Sequence, residues 1–365
     1  MPLFLTRGSY APETIDARER LAGSASKCGD QAQLVLSVLV KGHNALEVGD
    51  LSAGDAFAEQ ALELALQEGG PTLIGLAHLL QMIARSARGD LAGVEKHFIA
   101  GLKFFIEPGF RQVIGRQDLY AFGTAILNAW TLGRSDVARE RVAQMIAAAN
   151  GNNPYEVAFS GFWAAALRLL LKEYEQAEAL AAAALELSEK HQFQLLAANS
   201  GCILGAARAH LGRTTEGIAL IRQGIARLLE AHAKISSCTV FLAVAQERAG
   251  NIADALATVE QALQANPEEL MNRTGALMLR GELRLKQGQT ELAETDFREA
   301  IEVARNMDAK APELQITMSL AQLLDKQGRR EEARTILADI YGWFTEGFDT
   351  ADLKDAKALL DEMGH

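Results

Sequence analysis

The chain has 365 residues, 49% of them hydrophobic but only 6% aromatic, with 7 prolines and 31 glycines; an Ala- and Leu-rich composition of this kind favours many helices joined by short turns. Its formal net charge of −11 argues against a phosphate backbone as main ligand, since such binders need clustered Lys and Arg to displace counterions. The cysteines, at positions 28, 202 and 238, form neither a close-spaced metal or redox pair nor a disulfide framework, which points to a reducing compartment.

At the N-terminus, residues 2–7 read as the end of a first helix and Gly8 as a turn. Residues 1–5 are too few for a signal peptide. The apolar run 34–40 is interrupted by Ser37 and stopped by Lys41 and Gly42, far short of the roughly 20 residues that cross a bilayer. A cytoplasmic, soluble protein is expected.

From Gly49 one turn recurs: Gly49-Asp50-Leu51, Gly89-Asp90-Leu91, Gly133-Arg134-Ser135, Gly212-Arg213-Thr214, Gly250-Asn251-Ile252, Gly288-Gln289-Thr290 and Gly328-Arg329-Arg330, with Lys172-Glu173-Tyr174 in the same slot but without its glycine. Successive spacings are 40, 44, 39, 40, 38, 38 and 40 residues, the period of a helical-hairpin repeat. Five positions after the turn stand small residues, Gly54, Ala138, Ala177, Gly217, Ala255, Ala293 and Ala333, with Val94 as the exception. Twelve positions after it come Ala61, Gly101, Ala184, Gly224, Ala262 and Ala300. Seven residues are about two helical turns, so both sites share one face, and small side chains there let a partner helix approach. Between them, nine after the turn, Phe98, Val142, Ile221, Val259, Phe297 and Ile336 would fill the hairpin core. Asn266-Pro267-Glu268-Glu269 is a helix start, with a capping side chain, a first-turn proline and acids at the positive helix end.

This layout resembles the tetratricopeptide signature. The fold it implies is all-α: a right-handed α-solenoid of about eight tetratricopeptide-like hairpins of 38–44 residues plus a C-terminal capping helix. The expected organisation is an N-terminal partial repeat at 1–30, the superhelical array at 31–344 and a capping segment at 345–365. A solenoid needs such a cap because its last unit has no neighbour.

The C-terminal stretch Ile340-Tyr341-Gly342-Trp343-Phe344-Thr345-Glu346-Gly347-Phe348-Asp349-Thr350, continuing to Leu360, resembles the end of the tetratricopeptide array of large bacterial signalling proteins. Leu279-Arg280-Gly281-Glu282-Leu283 and Gly8-Ser9-Tyr10-Ala11-Pro12-Glu13 are similar to other segments of that array. Those proteins join an adenylate cyclase or DNA-binding domain to a nucleotide-switch ATPase and the repeat array. Here no Gly-Lys pair occurs, so the ATPase phosphate loop is missing, and no cyclase-like pattern is evident. The resemblance implies a sensor or protein-interaction arm, either free-standing or part of a longer chain, with a cyclase or ATPase output module as a candidate partner.

Neither a catalytic residue nor a metal ligand stands out. No two of the seven histidines share an i, i+3 or i, i+4 spacing, no G-x-S-x-G elbow occurs, and acid pairs such as Glu331-Glu332 sit at helix starts where the dipole accounts for them. The chain reads as no enzyme and needs no cofactor. Solenoids recognise partners on their concave face, where positions thirteen, ten, six, three and two before each turn point inward. These select Tyr120 and Trp130, then Phe159 and Phe162, Asn199 and His210, Arg248, and Glu282. Aromatic anchors beside polar groups suit an extended peptide or a partner helix; the alternative is a metabolite held in the aromatic mid-groove. Arg139 is expected on the convex side, and nucleic acid and membrane are not expected as partners.

Overall fold

The computed structural model describes residues 31–364 apart from 48, 69, 112–115, 232, 234 and 266–269. The expected partial repeat at 1–30, the turn at Gly8 and the helix start at Asn266 lie outside the described residues. Among the described residues every regular element is a helix, and most pair into antiparallel hairpins. In chain order these are α1 (Gln31–Glu47) with α2 (Leu51–Glu68), α3 (Pro71–Ala87) with α4 (Leu91–Phe105), then after the short α5 (Pro108–Arg111), α6 (Gln117–Thr131) with α7 (Ser135–Ala148). They continue with α8 (Pro154–Leu170) and α9 (Tyr174–Lys190), α10 (Gln194–His210) and α11 (Thr214–Glu230), and α12 (Ser236–Arg248) and α13 (Ile252–Ala265). The last are α14 (Leu270–Lys286) with α15 (Thr290–Asn306) and α16 (Lys310–Lys326) with α17 (Arg330–Tyr341), followed by a final helix α18 (Ala351–Met363).

Each hairpin bends at the turn that the sequence repeats. The seven turn glycines take φ between 73° and 86°, the left-handed region in which glycine carries no Cβ penalty. The next amide reaches back five residues to a helix carbonyl, as Asp50 N–H does to Ala45 O and Arg213 N–H to Arg208 O, both at 2.9 Å, which satisfies the helix end. Lys172 adopts φ 61° in the glycine slot, a backbone that costs a side-chain-bearing residue about 1 kcal/mol.

The small residues are where the helices touch. Ala138, Ala177, Ala255, Ala293 and Ala333 are fully buried. A Cβ added to Gly217 would stand 2.5 Å from the Gly205 carbonyl oxygen, and one on Gly224 2.5 Å from Cys202 Sγ. Phe98, Ile221, Val259 and Phe297 are buried between them as core residues. The 44-residue spacing between Gly89 and Gly133 holds α5, whose Phe110 ring is buried against Phe105 and lies where a Cβ on Gly75 would come within 2.6 Å.

First helices of successive hairpins pack on one another, whereas second helices pack on the first helices either side of them. That asymmetry bends the array with the first helices inside. The bend is tight enough for the superhelix to meet itself. Helix α6 touches α16, Leu91 and Leu132 join the core of the C-terminal hairpins, and a Cβ on Gly89 would strike Met307 at 2.7 Å. The hairpin turns of the early repeats thus form one edge, on which the loops of the late repeats rest.

Candidate functional site

On the inner face, α8 presents Tyr155, Phe159 and Trp163 at i, i+4 and i+8, one stripe of a helix. Ring centroids follow one another at 5.6 Å from Tyr155 to Phe159 and 6.1 Å from Phe159 to Trp163. Phe162 lies 5.2 Å from Trp163, and Tyr120 of α6 meets Trp163 edge-on at 6.5 Å. Trp163 lies flat on α6 because Gly123 has no side chain there: a Cβ would come within 2.3 Å of the indole. Phe193, before α10, meets Tyr155 edge-on at 5.2 Å. The stripe is half-buried rather than sealed, and the Trp163 Nε1 proton has no acceptor.

Farther along the inner face the lining turns polar. His210 stacks on Tyr174 with centroids 4.2 Å apart; burial, together with the charges of Arg248 and Lys172, pushes its imidazole down to about 4, so it is neutral near pH 7, with Nδ1 unpartnered. Burial pushes the Glu282 carboxyl up, opposed by the Ser319 hydroxyl that donates to it at 3.2 Å. Lys286 pairs with Glu247. Burial disfavours the Lys172 cation, but Asp352 at 2.6 Å outweighs it and holds the ammonium above its ordinary value. Arg248 at the end of α12 is exposed. The inner face therefore has an aromatic half that offers contact area and a polar half whose charges largely neutralise one another.

The structure gathers Tyr120, Phe159 and Phe162 into the stripe and places His210, Arg248 and Glu282 in the polar half. Asn199 is half-buried, its side-chain amide donating to the Leu195 carbonyl at 2.8 Å. Trp130 is buried among Phe122, Ile126 and Val142 in a core cluster, which leaves a partner little of its surface. Trp163, Tyr155, Lys172 and Tyr174 are the residues that inward positions counted from the turn missed; the i, i+4, i+8 aromatic pattern within α8 was the signal for two of them. Arg139, expected on the convex side, bonds Asp349 at 2.9 Å and Glu173 at 3.3 Å, where the C-terminal segment meets α7. Cys202 and Cys238 are buried in a shared core cluster.

Local sequence spacing pairs no histidines, yet His78 and His97 face each other across α3 and α4 with Nδ1 atoms 3.2 Å apart. Burial pushes both down, His97 to about 4, so one neutral ring donates to the other. Among the described residues no group of three or more His, Cys, Asp or Glu is placed to hold a metal ion, and no helix is long and apolar enough to cross a membrane.

With this geometry in hand, comparison with known proteins gives a consistent class. The tetratricopeptide repeat family profile matches residues 274–307, which span α14 and α15. No curated protein sequence matches the chain. Among solved structures it is similar to a Rap protein complexed with competence and sporulation factor, at a TM-score of 0.56 and 11% identity, over 90% of this chain and 97% of that one. It is also similar to NprR in complex with its cognate peptide NprX, at a TM-score of 0.51 and 14% identity, over 78% and 81% of the two chains. The fold is an α-solenoid of tetratricopeptide-like hairpins.

Proposed function

We propose that the chain is a regulatory module without catalytic activity, working in the cytoplasm as part of a bacterial signalling system, that binds an extended peptide or a segment of a partner protein on its concave face. Residues 31–344 are the binding array and 345–365 its cap, and a cyclase or ATPase output module is the partner class that the terminal resemblance suggests. The observation that carries the reading is the aromatic stripe of Tyr120, Phe159, Phe162 and Trp163 on adjoining inner helices. Half-buried rings of this kind give large contact area at low entropic cost, and the polar half beyond them can fix the direction of a bound chain. The cognate peptide bound by the similar NprR structure, and the factor bound by the similar Rap structure, support the same reading.

The test is selection of peptides from a random displayed library on the full chain, followed by calorimetry of the best binder. Phe162→Ala and Trp163→Ala should each cost about 2 kcal/mol, with helicity unchanged, whereas Arg222→Ala on the exposed side of α11 should leave affinity intact. Equal binding by wild type and both aromatic variants would overturn the assignment.

A further inference from the structure

Residues about 210 apart in sequence meet along a seam between the C-terminal segment and the turns of earlier hairpins. Helix α7 begins without a side-chain cap of its own, and Glu346 supplies one from the far end of the chain: Oε1 accepts from the Asp136 and Val137 amides at 3.0 and 3.3 Å. The contact is returned, since the Gly347 amide donates to Asp136 Oδ2 at 3.2 Å. Arg139 bonds Asp349, and Lys172 and Gln315 bind the two oxygens of Asp352 at 2.6 and 2.8 Å. Phe344 is buried on the Gly133 turn, where a Cβ would come within 2.8 Å of its ring.

Lys172 explains itself here. Seven of the eight turns carry glycine at positive φ, and the eighth holds a lysine in the same strained backbone. Glycine carries no penalty at such a turn; the lysine here supplies a side chain instead, and that side chain reaches Asp352. The seam also differs from the interfaces between hairpins. Those are packed with alanine, leucine and phenylalanine, whereas the seam adds to the buried Phe344, Leu132 and Leu91 a rim of ion pairs that include the largely exposed Asp349, which salt screens and water competes for.

We propose that residues 342–352 form a clasp that holds the superhelix shut, and that its release widens the concave channel to admit a partner. This rests on the concave face as the binding surface and adds its regulation. Since the clasp joins two parts of the same chain, its test needs no ligand: a seam that behaves otherwise leaves the groove standing, and failed peptide capture leaves the clasp standing.

The experiment is hydrogen–deuterium exchange with small-angle scattering on the full chain and four variants: Lys172→Asp, Asp352→Lys, the exchanged pair K172D/D352K, and Lys172→Gly. Each single variant should speed amide exchange about fivefold on both sides of the seam, at 135–138 and at 343–353, and enlarge the radius of gyration. The exchanged pair restores the ion pair with opposite sense and should return both readouts toward wild type, which also guards against a misfolded single variant. Lys172→Gly is decisive: it relieves the strained turn, so a purely local role predicts slower exchange near 172 and no change at 343–353, whereas the clasp predicts faster exchange at 343–353. Unchanged exchange at 343–353 in all single variants, or failure of the exchanged pair to restore it, overturns the proposal.

Discussion

The aromatic half of the inner face, on α6 and α8, and its polar half, on α10 to α16, are built from the same hairpin yet use their side chains differently. In the aromatic half the rings pack on one another and on Gly123, so their surface is only partly spent on the fold. In the polar half Lys286 answers Glu247, and Glu282 is pushed toward its neutral form by burial. A ligand meeting paired charges must displace their partners before gaining anything, whereas one meeting half-exposed rings gains contact at once. The difference teaches that affinity should reside in the aromatic half and orientation in the polar half.

The two halves can be separated by experiment, beginning with the largest effect. Asp296 of α15 is buried between Arg280 and Arg284, bonded to each at 2.7 Å. Asp296→Ala leaves two guanidinium groups without their buried partner and should cost about 3–5 kcal/mol in urea unfolding. Because a repeat array transmits loss chiefly to neighbours, the fluorescence of Trp130 and Trp163, read in a Trp343→Phe background, should change later in denaturant than the helicity lost from the C-terminal hairpins. A single coincident transition would show instead that the seam couples the halves completely.

Acid should act next, and on the polar half. The native His210 imidazole titrates near 4 and the unfolded one near 6.5, so between those values the unfolded chain binds more protons. Stability from this group is complete above pH 6.5 and is lost as pH falls toward 4, by on the order of 3 kcal/mol. His97 contributes with the same sign. A melting-temperature profile should therefore decline over that window in wild type and decline less in His210→Phe, which preserves the stack on Tyr174; equal slopes would remove His210 from the account.

Gly123→Ala probes the aromatic half itself. The new methyl group would stand 2.3 Å from Trp163, and pushing the indole off α6 should cost about 1–3 kcal/mol and shift the tryptophan emission. Unchanged emission would mean that Trp163 does not rest on α6 in solution. The smallest effect is expected from Lys286→Met, which removes one half-exposed ion pair of the polar half and should alter stability by under about 1 kcal/mol.

Much of this architecture was legible in the chain because each repeated turn imposes a local requirement. Glycine at positive φ, a small residue five later and another twelve later are fixed by backbone geometry and helix approach, so they recur regardless of what the array binds. The seam was not legible, since Glu346 and Asp136 or Lys172 and Asp352 meet only after the superhelix has completed its turn, and that curvature accumulates from small rotations at every hairpin. Trp163 escaped because inward positions were counted from the turn, whereas its role is set by Gly123 on the neighbouring helix.

The central claim is that binding strength lies in the aromatic half of the concave face, and the most direct measurement is the calorimetric affinity of one selected peptide for wild type, Trp163→Ala and Lys286→Met at the same ionic strength. The account predicts a loss of about thirtyfold for Trp163→Ala and under about threefold for Lys286→Met. A Lys286→Met loss as large as that of Trp163→Ala, or an unchanged affinity in Trp163→Ala with the fold intact, would contradict it.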